Sequence, residues 1–248
     1  MRFRHWRTGL IPHDPLALAT ALRISDKAFA SAPPPARLDR SHIDPAPQLF
    51  GNSDAGDCTC AGIYNSILAV AAINKYQLDI PDSKAIDLYA AMTGYPDTDP
   101  GARELDVLSY VARYGLDVGQ QTPLALQYGT INPSSRARLA QIAAALGVTY
   151  LGVKLSLSDE GTPGTWDTNP PADAGDFTPG TAGDHCLLLW DYTGLGDSDT
   201  ARLITWGGFQ RVTWRWLAQR VTESHGLLWR QLLPENAPYA RMLNTLFE

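Results

Sequence analysis

Near residue 148 the spacing of apolar residues changes from the helical period to the alternation of strands, and this switch constrains the fold most. Upstream, NSDAGDCTCAGIYNSILAVAAINKYQ runs from Asn, Asp and Gly turn formers into a long alanine-rich stretch. It predicts a loop feeding a buried helix over residues 58–75. PDSKAIDLYAAMTGY and ARELDVLSYVARYG predict two amphipathic helices that stop at Gly94 and Gly115, where a left-handed cap is easiest for glycine. SSRARLAQIAAALG predicts a fourth, capped by Ser134 or Ser135 and stopped by Gly147. Downstream, VTYLGVKLSL, HCLLLWDY, ARLITWGGF, RVTWRWL and HGLLWRQLL read as strands rich in Trp, Leu and Val. Helices first and strands second predict an α+β fold rather than alternating βαβ units.

The flanks differ in character. Residues 1–50 hold a possible short helix, PLALATALRI, and then a proline-rich stretch from Ala32 to Gln48, which predicts an extended arm lying over the domain. A helical lobe over residues 51–147 and a β-sheet lobe over 148–233 follow, and residues 234–248 form a C-terminal tail. Residues 159–184 are a Gly/Pro/Asp segment of a length that is usually functional or disordered.

Composition removes several function classes. With 20 basic against 26 acidic side chains the formal charge is −6, which argues against coating nucleic acid. No apolar run approaches the ~20 residues that cross a bilayer. Cys58, Cys60 and Cys186 are too few and too odd in number for a disulfide framework and suit a reducing compartment. The start, MRFRHWRTGLIPHD, has no apolar stretch of a secretory signal, so a cytoplasmic location is expected.

Chemistry concentrates in Gly51-Asn52-Ser53-Asp54-Ala55-Gly56-Asp57-Cys58. A thiol at the first turn of a helix meets free backbone N–H groups and the positive end of the helix dipole, which favour thiolate and can hold an oxyanion. Such a thiol also needs a base. His185 stands at the mouth of the strand HCLLLWDY, partly exposed and rigid as a general base should be.

The pattern resembles the papain-like cysteine peptidases, whose local signature is C-G-[SA]-C-[WY] with a histidine ≈130–150 residues on. Gly56 is retained beside Cys58, Ala55 and Thr59 replace the outer Cys and the aromatic, and His185 follows by 185 − 58 = 127 residues. Six positions before Cys58, where such enzymes carry an oxyanion-hole glutamine, stands Asn52, a shorter amide. Leu203-Ile204-Thr205-Trp206-Gly207-Gly208 resembles their N-S-W-G segment, so Trp206 is expected to shield the histidine. Ile204 takes the asparagine position, and Asp197 or Asp199 is the candidate replacement. Tyr89 through Gly115 is similar to the left-domain helices of that fold, and the resemblance covers residues 45–230. It implies a two-lobed papain-like fold and a thiol hydrolase that cleaves a peptide or isopeptide bond, needing no cofactor. The GN-x-x-x-GDC opening is most similar to a divergent bacterial or phage-encoded branch.

Competing readings are blander. Cys60 and Cys186 are expected in the core, each on a different face from its neighbour of interest. A metal site from Cys58, Cys60, His185 and Cys186 is disfavoured by C-x-C spacing and by the opposed directions of adjacent strand residues. His5, His13, His42 and His225 are expected at the surface or in satisfied structural roles, and Trp206, Trp214, Trp216 and Trp229 in the sheet core. The alternative function is a degenerate papain-like scaffold, a structural or binding component of an assembly such as a phage virion. Ile204 motivates it, since a histidine without its orienting partner loses much of its power. So do the N- and C-terminal arms, which could embrace protein neighbours.

Overall fold

A helix that is apolar all round must be buried all round, and α2 (Cys58–Ile73) is buried at every residue from Cys58 to Ala71. The rest of the architecture surrounds it. The computed structural model describes residues 7–25, 33–161, 163–168 and 175–232. Before α2 lies α1 (Pro15–Thr20), and after it α3 (Ser83–Thr93) and α4 (Glu104–Tyr114). Strand β1 (Leu126–Thr130), α5 (Arg136–Leu146), β2 (Thr149–Leu155) and α6 (Leu157–Gly161) follow. The chain then forms β3 (Gly183–Tyr192), β4 (Thr200–Thr205), β5 (Gly208–Thr213), α7 (Trp214–Arg220) and β6 (Val221–Trp229).

The six strands make one sheet in the order β1-β6-β2-β3-β4-β5, antiparallel at every junction. One face packs Tyr150, Leu188, Trp190 and Trp229 against Cys58, Ile63 and Ile67 of α2, with α3 and α4 beyond. The other packs Leu151, Val153 and Leu189 against Ile142 and Ala143 of α5 and Trp216 and Leu217 of α7. Both faces are covered, so β2 and β3 read as nearly continuous apolar runs rather than alternating ones.

The α+β reading holds, and the helix stops fall where glycine was expected. Gly94 has φ 79° and Gly115 φ 77°, and Gly147 (φ 99°) ends α5, whose cap is the Ser135 hydroxyl accepting from Arg138 N–H. Three segments depart from the expectations. RVTWRWL is only half strand: β5 stops at Thr213, whose hydroxyl accepts the Trp216 N–H at 3.1 Å and starts α7. A threonine cap followed by a helical apolar spacing overrides the β-propensity of two tryptophans. β1 forms where no element was expected and pairs along its length with β6. The segment PLALATALRI is helical only to Thr20, and Ile24 then bonds backbone to backbone with Thr130.

The proline-rich lead-in lies on its own domain. Leu38 pairs with Tyr192, and the buried Arg40 donates to the carbonyls of Gly147, Trp190 and Ala143. Residues 159–184 are anchored where they are described: Trp166 continues the sheet beside β5, and Arg220 donates to Asp159 at 3.3 Å and to the Phe177 carbonyl at 2.9 Å. The C-terminal tail and His5 lie outside the described residues. Among the described residues no helix is long and apolar enough to cross a membrane.

Candidate active site

The approach to α2 is a bent loop. Phe50 (φ 53°) and Gly51 (φ 91°) turn the chain left-handed, after which Asp54 and Ala55 donate their N–H groups to the Gly51 carbonyl at 2.9 and 3.1 Å. Asp99 holds the loop from outside, accepting the Gly56 N–H at 2.9 Å and the Tyr89 hydroxyl at 2.6 Å. Cys58 is the first residue of α2 and is 1% exposed. The N–H groups of that first turn have no partner inside the helix.

Across the domain, His185 and Cys186 alternate on β3. Cys186 turns to the α2 side, where Gly62 leaves room for its sulfur: a Cβ on Gly62 would lie 2.9 Å from Sγ. His185 turns the other way. Its Nε2 is 2.8 Å from Thr205 Oγ1, and Nδ1 has no hydrogen-bond partner. An N–H on Nε2 donated to Thr205 leaves the lone pair on Nδ1, the form a base needs. Trp206 stacks on the imidazole at 4.3 Å between centroids and 22° between planes.

Trp206 owes that position to the hairpin between β4 and β5. Trp206 (φ 45°) and Gly207 (φ 70°) both have positive φ, as a two-residue type I′ turn requires. A bulky side chain in this region costs ~1–3 kcal/mol. The stacking on His185 offsets it, as does the indole N–H donated to the Arg7 carbonyl at 3.3 Å.

Thr205 is the residue that reasoning from the sequence missed. Ile204, at the asparagine position, pairs with Leu188 and joins the core on the α2 side. Its neighbours on β4 therefore face the His185 side, and strand alternation alone could have found Thr205. Neither aspartate replaces the asparagine. Asp199 accepts the Gly196 N–H at 2.7 Å within its own turn, and Asp197 pairs with Arg136 at 2.6 Å. The other histidines divide. His13 accepts the Leu105 N–H at 3.1 Å and His42 is exposed, as expected. His225 is the correction: it is fully buried with neither ring nitrogen hydrogen-bonded.

Asn52, Cys58, His185, Ile204, Thr205 and Trp206 line one narrow cleft whose free volume is only about 10 Å³. The Asn52 amide, 2% exposed, donates to the Ala55 carbonyl at 3.2 Å. The chain's own N-terminal segment lies across the cleft. Arg7 N–H donates to the Asn52 carbonyl, Leu10 N–H to Asp184, and Ala102 N–H to the Gly9 carbonyl. Only glycine fits at position 9, because a Cβ there would sit 1.9 Å from the Gly56 carbonyl oxygen. Residues 7–11 thus bridge the helical side of the cleft to β3.

Burial governs the electrostatics. It pushes the Cys58 thiol up to about 12, against N–H groups of Cys186 and Gly9 that act the other way. Burial alone brings His185 down to about 3. Burial pushes the Asp57 carboxyl up to about 8, against hydrogen bonds from the Asn52 amide and its own backbone that act the other way. In this closed arrangement burial favours the neutral thiol of Cys58 and the neutral imidazole of His185. The three cysteines are free.

No protein-family model and no curated protein matches the chain. Solved structures do. Xylellain, a cysteine protease from Xylella fastidiosa, superposes with a TM-score of 0.63 at 13% identity, covering 92% of this chain and 98% of its own. The fold is papain-like. Digestive procathepsin L2 proteinase from Tenebrio molitor larval midgut shares the papain-like fold at TM-score 0.63 and 16% identity, over 90% of this chain and 78% of its own. The Carica candamarcensis cysteine protease CMS1MS2, solved in complex with E-64, follows at 0.54 and 17%, over 78% and 98%.

Proposed function

We propose that the protein is a papain-like thiol hydrolase acting on a peptide or isopeptide bond. The observation that carries this reading is that Asn52, Cys58 and His185 line the same cleft. Cys58 Sγ attacks the carbonyl carbon while His185 Nδ1 takes the thiol proton. The Asn52 amide and the Cys58 backbone N–H hold the oxyanion of the tetrahedral intermediate. His185 then returns the proton to the leaving amine, and water releases the acyl group from sulfur by the reverse steps. Thr205 orients the imidazole through Nε2, and Trp206 keeps water from that bond. Cys58 is buried and residues 7–11 are hydrogen-bonded to Asn52 on one side and Asp184 on the other, so on this reading a peptide reaches Cys58 only when they are displaced.

The burial of Cys58 favours a second reading, a papain-like scaffold that has lost turnover and serves as a structural or binding component. The GN-x-x-x-GDC opening is the basis for setting either protein in a divergent bacterial or phage-encoded branch. Incubation with an unfolded protein substrate separates the two. The hydrolase yields new amino termini at a rate that Cys58→Ser and His185→Ala each abolish. The scaffold yields none, or cleavage that persists in both variants and so comes from a contaminant.

A further inference from the structure

Just past the segment that covers the cleft lies a second cluster of polar groups, one the thiol chemistry does not use. Glu104 is the first residue of α4, and Glu223 and His225 stand two apart on β6, so both side chains leave the same face of the sheet. Their exposures are 0%, 2% and 0%. Glu104 Oε2 is 3.1 Å from His225 Nε2, and one ligand atom from each of the three residues lies within 4.8 Å of the other two. Glu223 Oε1 accepts the His13 N–H at 2.8 Å, but its Oε2 has no partner. The Cys186 thiol faces Glu104, and beyond it the oxygens of Glu104 and both ring nitrogens of His225 are without hydrogen bonds. Buried polar atoms are almost always satisfied, so such a concentration in one place points to a ligand. Gly152 on β2 lets the two carboxylate side chains close in on each other, since a Cβ there would lie 2.9 Å from Leu10 Cδ2, 3.2 Å from Glu104 Oε1 and 3.2 Å from Glu223 Cβ.

We propose that Glu104, Glu223 and His225 bind a divalent first-row cation, Zn²⁺ matching the donor set best. Two buried carboxylates repel each other in a medium that screens poorly, and one divalent ion cancels both charges. The imidazole nitrogen selects against Ca²⁺ and Mg²⁺, which take oxygen ligands, while Zn²⁺ accepts carboxylate oxygen and imidazole nitrogen at ~2.0–2.2 Å. The 3.1 Å between Glu104 and His225 is close to what two such ligands on one ion require. The ion ties the start of α4 to β6. Through Glu223 and His13 it also fixes the chain that leads out of the cleft-covering segment. Its role is structural and independent of the hydrolase reading.

The test uses the full chain, stripped with a chelator and re-equilibrated with Zn²⁺ alone. One Zn²⁺ per chain should survive gel filtration. Glu223→Gln, which keeps the acceptor for His13, and His225→Gln should each weaken binding at least ~tenfold, and Cys58→Ser should not change it. Co²⁺ in the unmutated chain gives a readout that needs no variant to fold: visible d–d absorption without a thiolate charge-transfer band. No retained metal overturns the proposal, as does retention unchanged in folded Glu223→Gln. A thiolate band that disappears in Cys58→Ser also overturns it, by placing the ion on the cysteines.

Discussion

At the scale of single residues, two buried groups decide how the site behaves. Thr205 gives His185 the partner that Ile204 cannot, and a hydroxyl orients an imidazole less firmly than an amide oxygen held in a planar group. Thr205→Val should therefore lower turnover ~10- to 100-fold while the melting temperature stays nearly constant. An unchanged kcat would mean that Trp206 alone positions the ring. Asp57 tests burial itself. Its folded value of about 8 lies above the ordinary 3.8, so the folded state holds a proton that the unfolded state has released. Its contribution to stability is whole below pH ~4 and is lost as the pH rises toward 8. Asp57→Asn should remove that loss and add ~1 kcal/mol or more to stability at pH 8, with little effect at pH 4. Thermal melts of both proteins across this range should diverge with rising pH; parallel curves would refute the assignment. His185 has the opposite sign. Its value of about 3 means that stability falls as the pH drops from 6.5 toward 3.

At the scale of elements, the sequence was most legible where period and punctuation agree. The helix stops at Gly94, Gly115 and Gly147 could be read directly, because glycine takes positive φ without strain. By contrast β3, expected from alternation, is a nearly continuous buried run whose strand character rests on its Leu and Trp content. RVTWRWL misleads because tryptophans suit a pleated surface as well as a helix, and the Thr213 cap decides between them only once the sheet edge is known. Thr213→Ala should cost ~1 kcal/mol of stability, measured by denaturant titration, and a change under a few tenths would show that α7 is held by packing alone. Trp206 was legible as a shield for His185, yet the left-handed backbone that aims it was not, since glycine or asparagine normally takes that place. The segment over residues 7–11 gave no local signal at all. Its role depends on Gly9 meeting Gly56 and Gly101, contacts between residues distant in sequence. Gly9→Val collides with backbone and should displace the segment, speeding alkylation of Cys58 at pH 7 at least ~tenfold. An unchanged rate would mean that access is limited elsewhere.

At the scale of the whole molecule, the sheet lies between α2 on one face and α5 and α7 on the other, and the cleft opens where α2 begins beside β3. The cleft lining includes both the cysteine at a helix start and the histidine at a strand start that the sequence order singles out. The closed state did not follow from that order, because it rests on the depth of burial. Displacing residues 7–11 admits water, and desolvation is the largest cause of both the Cys58 and the His185 shifts. Opening therefore lowers the thiol and raises the imidazole toward the point where the proton passes between them. The most direct measurement is the pH dependence of Cys58 alkylation by iodoacetamide in the Gly9→Val protein, with and without His185→Ala. The account predicts thiolate reactivity that persists well below the ordinary thiol value near 8.5 and disappears with His185. Reactivity that rises only near pH 8–9, the same with or without the histidine, would contradict it.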